Sequence, residues 1–195
     1  MNFKVGETFK IKDEKFLVLD IFDGNPFVIA LDTDIKSKFS DKNNNYKDSI
    51  LRKTVDDWFK RLNVSAIRRY LDLTTMDGSK CYDFISDIKA APLTFDEWRK
   101  YAKIIIPHLK NPFWLATAWA DPKWENWGSN AVCYIDAGGT TTYNYYDIGL
   151  WLAPTFILDK RFFENNYNNE LDSNLLAGFS TDALLAEVSR RVKEA

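Results

Sequence analysis

The chain has 195 residues, of which 46% are apolar and 15% aromatic, and its formal net charge is −2 at pH 7. A chain of this length and composition can bury a core of its own, so we predict a globular domain. Acidic and basic residues are mixed along the sequence, which argues against the basic face that nucleic-acid binding requires. No apolar run reaches transmembrane length, and the start lacks the apolar core of a signal peptide. We therefore expect no membrane partner and a cytoplasmic location, with a phage particle as the alternative.

The reactive side chains are few. The sequence contains two cysteines, Cys81 and Cys133, and a single histidine, His108. Two buried thiols in a reducing compartment are the favoured interpretation, and a disulfide would need α-carbons within about 7 Å of each other. A His-rich zinc site is excluded, and a nucleophile–histidine triad could only be built on His108. We predict no metal, no cofactor and no catalytic residue.

The N-terminal part has the alternation of an antiparallel meander. Residues 8–31 contain three strand-like runs separated by turns at 12–14 and 23–26. Residues 32–46 are polar and include three consecutive asparagines, which indicates an exposed loop.

Two helices are predicted from periodicity and capping residues. The first begins after Asp48 or Ser49 and ends near residue 62. Five apolar residues share one of its faces: Leu51, Val55, Trp58, Phe59 and Leu62. The second begins at a capping box formed by Thr94 and Glu97 and stops before Pro107.

The segment between these helices has weaker signals. Residues 64–70 are compatible with a short helix that exposes Arg68 and Arg69. Residues 74–79 have the composition of a turn, and residues 81–85 that of a short strand.

Aromatic residues concentrate in a β unit over residues 111–158. Strand-like runs cover residues 130–136, 140–146 and 150–158, with a hairpin turn at 137–139. Pro154 within the last run indicates an edge strand or a bulge. Trp114 and Trp151 are expected in the core. After residue 158 come a polar loop and an amphipathic helix at about 181–193, so we predict domains of 1–158 and 159–195.

Three short motifs carry a family resemblance. They are Ser49-x-Leu51-Arg52 with Trp58, Phe113-Trp114-Leu115, and Gly149-Leu150-Trp151-Leu152-Ala153-Pro154. With them, residues 5–158 resemble an uncharacterised bacterial and phage domain family of unknown function, whose relatives have C-type-lectin-like and formylglycine-generating-enzyme-like folds. The resemblance implies an α+β, C-type-lectin-like compact fold with an N-terminal antiparallel meander, two main helices and a late antiparallel aromatic-rich sheet.

The resemblance also implies a division of labour between a scaffold and a late surface that binds protein, glycan or receptor. The chain departs from active relatives, because Cys81 and Cys133 lack the sequence context of the formylglycine-generating cysteine pair. The run Trp124-Glu125-Asn126-Trp127 matches neither calcium-binding motif of the true lectins. An enzyme is therefore the weaker expectation.

The candidate ligand-binding residues lie between positions 119 and 146. They are Trp119, Trp124, Asn126, Trp127, Tyr143, Tyr145 and Tyr146. Aromatic faces stack on sugar rings and anchor protein interfaces, although each ring could instead fill the core. Asp121, Glu125 and Asp136 could bind calcium through their carboxylate oxygens. We favour the alternative hypothesis that these acids are solvated.

The leading hypothesis is a non-catalytic binding module for a protein or glycan, phage- or prophage-related. The alternatives are an intact or degenerate enzyme of the formylglycine-generating type, and a structural component of a phage-like assembly. In the last case the C-terminal helix would supply the oligomer or assembly contact.

Overall fold

A computed structural model describes residues 3–123 and 130–162. Two α-helices, α1 (Ile50–Leu62) and α2 (Phe95–Ile105), combine with mostly antiparallel strands into a mixed α+β fold. The N-terminal strands are β1 (Thr8–Ile11), β2 (Glu14–Phe22), β3 (Asn25–Ala30) and β4 (Lys36–Lys38). Between the helices lie β5 (Ala66–Ile67), β6 (Arg69–Leu71), β7 (Ile85–Ile88) and β8 (Ala90–Pro92). The late strands are β9 (Phe113–Ala118), β10 (Ala131–Ile135), β11 (Thr141–Tyr145), β12 (Gly149–Trp151) and β13 (Pro154–Leu158).

The predicted meander is confirmed as one half of a six-stranded sheet. Strands β1, β2 and β3 pair antiparallel in sequence order, and β13 continues the sheet from β3. Strands β5 and β8 both pair with β13 on its other edge. The C-terminal strand therefore lies at the centre of the sheet that the N-terminus begins.

A second sheet contains the aromatic segment. Its order is β11-β10-β9-β12-β4, with β11 at one edge. The hairpin between β10 and β11 closes where predicted, and Gly139 there has a positive φ of 83°. A separate ribbon consists of β6 and β7.

The two helices form because their ends are capped and one face of each is apolar. The Ser49 hydroxyl accepts a hydrogen bond from Arg52 N at the start of α1, whose five predicted apolar residues are all buried. In α2 the Thr94–Glu97 capping box is present in both directions. Leu93 before the cap and Trp98 within the helix both enter the main core.

This main core is a cluster of buried apolar residues between the two sheets and α2. It includes Leu17 and Ile29 of the first sheet, Phe113 and Cys133 of the second, and Trp98 of α2. Burial of such side chains contributes about 1.5–3 kcal/mol each, so the cluster fixes how the sheets and α2 pack.

Four predictions of secondary-structure segments are wrong. Residues 32–46 are not simply an exposed loop, because they contain β4 and the buried Asn44 and Tyr46. Residues 64–70 form β5 and β6 instead of a helix, and the Arg69 side chain is buried. The strand expected at 81–85 begins only at Ile85.

The fourth concerns the last predicted run, which divides between the two sheets. Strand β12 joins the second sheet and β13 the first, with Leu152 and Ala153 between them. Pro154 does not lie on an edge strand as expected, but is the first residue of the central β13. At the first position of a strand the missing N–H of proline is tolerated. Trp114 is buried as expected, but Trp151 is half-buried, with Lys36 Nζ 3.5 Å from its ring centroid.

Residues Asn2–Asp159 form one compact unit, and Met1 with Lys160–Ala195 forms another. All the strands and both helices named above lie in the first unit. The predicted helix at 181–193 lies outside the described residues. Within residues 3–123 and 130–162, none of the helices combines the length and the apolar character that a membrane crossing needs.

Candidate functional site

Four of the predicted ligand-binding residues lie near one end of the second sheet, around its β11 edge. The name aromatic surface is used here for Trp119, Tyr143, Tyr145 and Tyr146. The remaining three predicted residues, Trp124, Asn126 and Trp127, lie outside the described part of the chain.

Trp119 and Tyr143 form the centre of the aromatic surface. Their ring centroids are 4.3 Å apart with an interplanar angle of 43°, and both side chains are half-buried. Tyr143 pairs with Cys133 across the β10–β11 ladder, so its ring points to the same face as that core residue. Trp119 packs against the main core from the same side. The pair is thus held in place by the core and extends it to the surface.

Tyr145 and Tyr146 differ in exposure. The Tyr145 side chain is 53% exposed and lies two residues beyond Tyr143, on the same face of β11. Tyr146 is half-buried, and its backbone accepts a hydrogen bond from Ser40 N at 2.9 Å. Tyr145 is therefore the described aromatic residue of this surface that is best placed to meet a ligand.

The chain that leads into and out of residues 124–129 is held by a buried asparagine. Asn44 Nδ2 donates to the carbonyl oxygens of Ala120 at 3.0 Å and Ala131 at 3.3 Å. The Tyr82 hydroxyl in turn donates to Asn44 Oδ1. Asn44 is completely buried, so its amide group joins the Ala120 and Ala131 carbonyls at a place that water does not reach.

A second polar group anchors the same part of the chain from the 73–82 segment. Asp121 Oδ2 accepts a hydrogen bond from the Ser79 hydroxyl at 2.9 Å, and Asp121 Oδ1 accepts one from Lys123 N at 2.9 Å. Asp77 accepts hydrogen bonds from Thr75, from Ser79 N at 3.1 Å and from Asp121 N at 3.4 Å. Burial alone would raise the pKa of Asp77, but these hydrogen bonds to the ionised form outweigh it and lower that pKa. Both carboxylates therefore act as acceptors that fix the loop.

These acids do not converge on a cation. Within residues 3–123 and 130–162, no group of three or more potential ligands could hold a metal ion. Asp121 is buried and engaged as above, so the expectation of a solvated acid is wrong for it. Asp136 accepts from Gly138 N and Thr140 N in the hairpin turn, and Glu125 is outside the described residues.

The two thiols do not share a solvent-reachable cleft. Cys133 has no exposed surface, and burial raises its pKa to about 12. Cys81 is half-buried, and burial raises the pKa of its thiol as well. Both cysteines are free. A thiolate pair of the formylglycine-generating kind would need two accessible sulfurs of low pKa, whereas here Cys133 is inaccessible and the pKa of each thiol is raised.

Sequence reasoning missed a second aromatic pair, on the β6–β7 ribbon. Tyr70 and Phe84 stack with centroids 4.8 Å apart and an interplanar angle of 30°, and they are 55% and 54% exposed. The sequence signal was weak, because Tyr70 lies on the outer face of its strand only if the charged Arg69 is buried together with Leu71. The helical interpretation of residues 64–70 concealed it.

Comparison with known proteins does not extend the picture, since no family model, curated protein or solved structure matches this chain.

Proposed function

We propose that the protein is a non-catalytic binding module that recognises a protein or a glycan through the aromatic surface. One observation carries the proposal: Trp119 and Tyr143 form a half-buried ring pair, and the exposed Tyr145 continues the same face. Ring pairs held by a core present apolar area to a ligand with little loss of side-chain entropy.

The anchored backbone beside this surface supports the same proposal. The buried Asn44 donates to the carbonyl oxygens of Ala120 and Ala131. The buried Asp121 accepts from Ser79 and Lys123 N, and its own N–H donates to Asp77. Such networks are costly when incomplete, and here they hold a segment at its two ends. Residues 120–123 and 130–131, held in this way, need little further ordering when a ligand arrives.

We further propose that the fold is of the C-type-lectin-like type and that the protein is phage- or prophage-related. Support for the fold comes from the order of elements: meander, two helices, then a late antiparallel sheet with the aromatic residues. The phage relationship rests on the sequence resemblance alone. A location in the cytoplasm or in a phage particle is part of this proposal.

The proposal is tested by screening glycan and peptide arrays with three proteins: the wild type, Tyr145→Ala and Tyr70→Ala. The two tyrosines are matched, since both lie in strands and are exposed to nearly the same degree. We expect a ligand that Tyr145→Ala binds roughly thirtyfold more weakly, which corresponds to about 2 kcal/mol and the size of an interface hot spot, and that Tyr70→Ala binds like the wild type.

Two outcomes would contradict the proposal. Equal binding by Tyr145→Ala and the wild type would remove the aromatic surface as the site. Loss of binding in Tyr70→Ala alone would transfer the site to the β6–β7 ribbon.

A further inference from the structure

A cavity of about 180 Å³ lies between the first sheet and the short 3-10 helix at Ile106–His108. Its sheet side consists of Thr8, Leu17 and Ile29, which are neighbours in register across β1, β2 and β3. Leu31, Leu109, Phe16 and Pro107 also line it. Leu17 and Ile29 are buried residues of the main core, so the floor of the cavity is formed by the outer edge of that core.

The rim of this cavity is rich in basic groups. Lys15, His108 and Lys110 line it, against one acid, Asp32. Lys110 Nζ is paired with Asp32 Oδ2 at 2.9 Å. Among the residues that the structure describes, no hydrogen bond or ion pair engages Lys15 Nζ or the His108 ring. One ammonium group and one imidazole therefore remain to meet a ligand at the mouth.

We propose that this cavity binds a small organic anion with a single-ring apolar body, such as an aromatic carboxylate. The volume sets the size, because an engineered apolar cavity of about 150 Å³ accommodates benzene whereas drug-sized ligands need about 300 Å³ or more. The apolar lining takes the ring, and Lys15 with His108 takes the carboxylate. This site is separate from the aromatic surface, since the two have no residue in common.

The experiment uses benzoate as the probe and benzamide as its neutral counterpart of the same shape. Methyl resonances of Leu17, Ile29, Leu31 and Leu109 are followed by NMR in the full-length chain during each titration. We expect benzoate to shift these resonances, and benzamide to bind more weakly. Raising the salt concentration should weaken benzoate binding, because the contributing charges are exposed.

The variant that tests the charge is Lys15→Met, which keeps the apolar stem and removes the ammonium group. We expect it to weaken benzoate binding about fivefold and to leave benzamide binding unchanged. Lys53→Met removes an exposed lysine of α1 that does not line the cavity, and it should bind both probes like the wild type.

Three results would overturn the proposal. Methyl resonances of the cavity that do not respond to millimolar benzoate would show that it takes no such ligand. Equal affinity for benzoate and benzamide would remove the anion preference. Equal weakening by Lys15→Met and Lys53→Met would mean that only the net charge of the protein matters.

Discussion

At the scale of single residues, buried polar side chains hold the backbone beside the aromatic surface in place. Asn44 stands in a run of three asparagines, a composition typical of exposed loops, yet its amide reaches carbonyls 76 and 87 positions away in the chain. Local sequence cannot distinguish an asparagine that caps a turn from one that bonds to a distant strand. The importance of Asn44 therefore became evident only from the tertiary structure.

Replacing Asn44 by alanine should lower the free energy of unfolding by about 2 kcal/mol, because the Ala120 carbonyl would lose its donor and the Tyr82 hydroxyl its acceptor. Chemical denaturation followed by tryptophan fluorescence measures this difference. The matched control is Asn43→Ala, whose side chain accepts one local hydrogen bond from Asn45 N and should cost less. Equal losses in the two variants would contradict the role assigned to Asn44.

The thiols give a second prediction at this scale. With iodoacetamide at pH 8, we expect Cys133 to remain unmodified in the folded protein, since it has no exposed surface and its pKa is raised to about 12. Cys81 should react slowly, and both should react once the chain is denatured. Mass spectrometry of the digested protein measures each site. Rapid modification of both thiols in the native protein would restore the enzyme alternative.

At the scale of elements, the success of the sequence predictions follows the range of the interactions involved. Both helices were predicted correctly because their signals are local: a capping residue, an apolar period and a following proline. Strands β5 and β6 were missed because they are short: β5 has two residues and pairs with the distant β13, and β6 has three and pairs with β7. The same reason explains why residues 150–158 were predicted as one strand.

Arg69 shows what the missed strand contributes. Its guanidinium bonds to Glu97 in the first turn of α2 and donates to the Thr155 hydroxyl in β13 at 2.8 Å. The side chain is 7% exposed, so it connects β6, α2 and β13 away from water.

We expect Arg69→Ala to lower the free energy of unfolding by about 2–3 kcal/mol, because Glu97 and Thr155 would lose a partner that is mostly buried. The neighbouring Arg68 is the matched control, since its pair with Asp87 is solvent-exposed on both sides. Arg68→Ala should be indistinguishable from the wild type in urea denaturation. A similar loss in both variants would show that Arg69 is not the connecting residue.

At the scale of the whole molecule, the fold class was predictable and the topology was not. Composition, two helices and alternating strands are enough for an α+β domain. The return of β13 into the N-terminal sheet, and the pairing of β4 with β12, depend on contacts between opposite ends of the unit. No local pattern encodes such pairings, and the enclosure of the main core between the sheets and α2 follows from them.

The aromatic surface belongs to this scale too, because β9, β10 and β11 bring together residues from positions 119 to 145. The sequence predicted these rings as a binding surface. It could not distinguish the half-buried Trp119 and Tyr143 from the exposed Tyr145, since that depends on which face of the sheet meets the core.

The most direct test of the binding proposal is hydroxyl-radical footprinting of the unmodified protein, with and without a ligand identified on the arrays. Mass spectrometry of the digested protein reports the oxidation of each aromatic side chain. We predict that the ligand protects Tyr145 and leaves Tyr70 and Phe84, which are similarly exposed, at their original rates. Protection of Tyr70 and Phe84 with no change at Tyr145 would contradict the proposal.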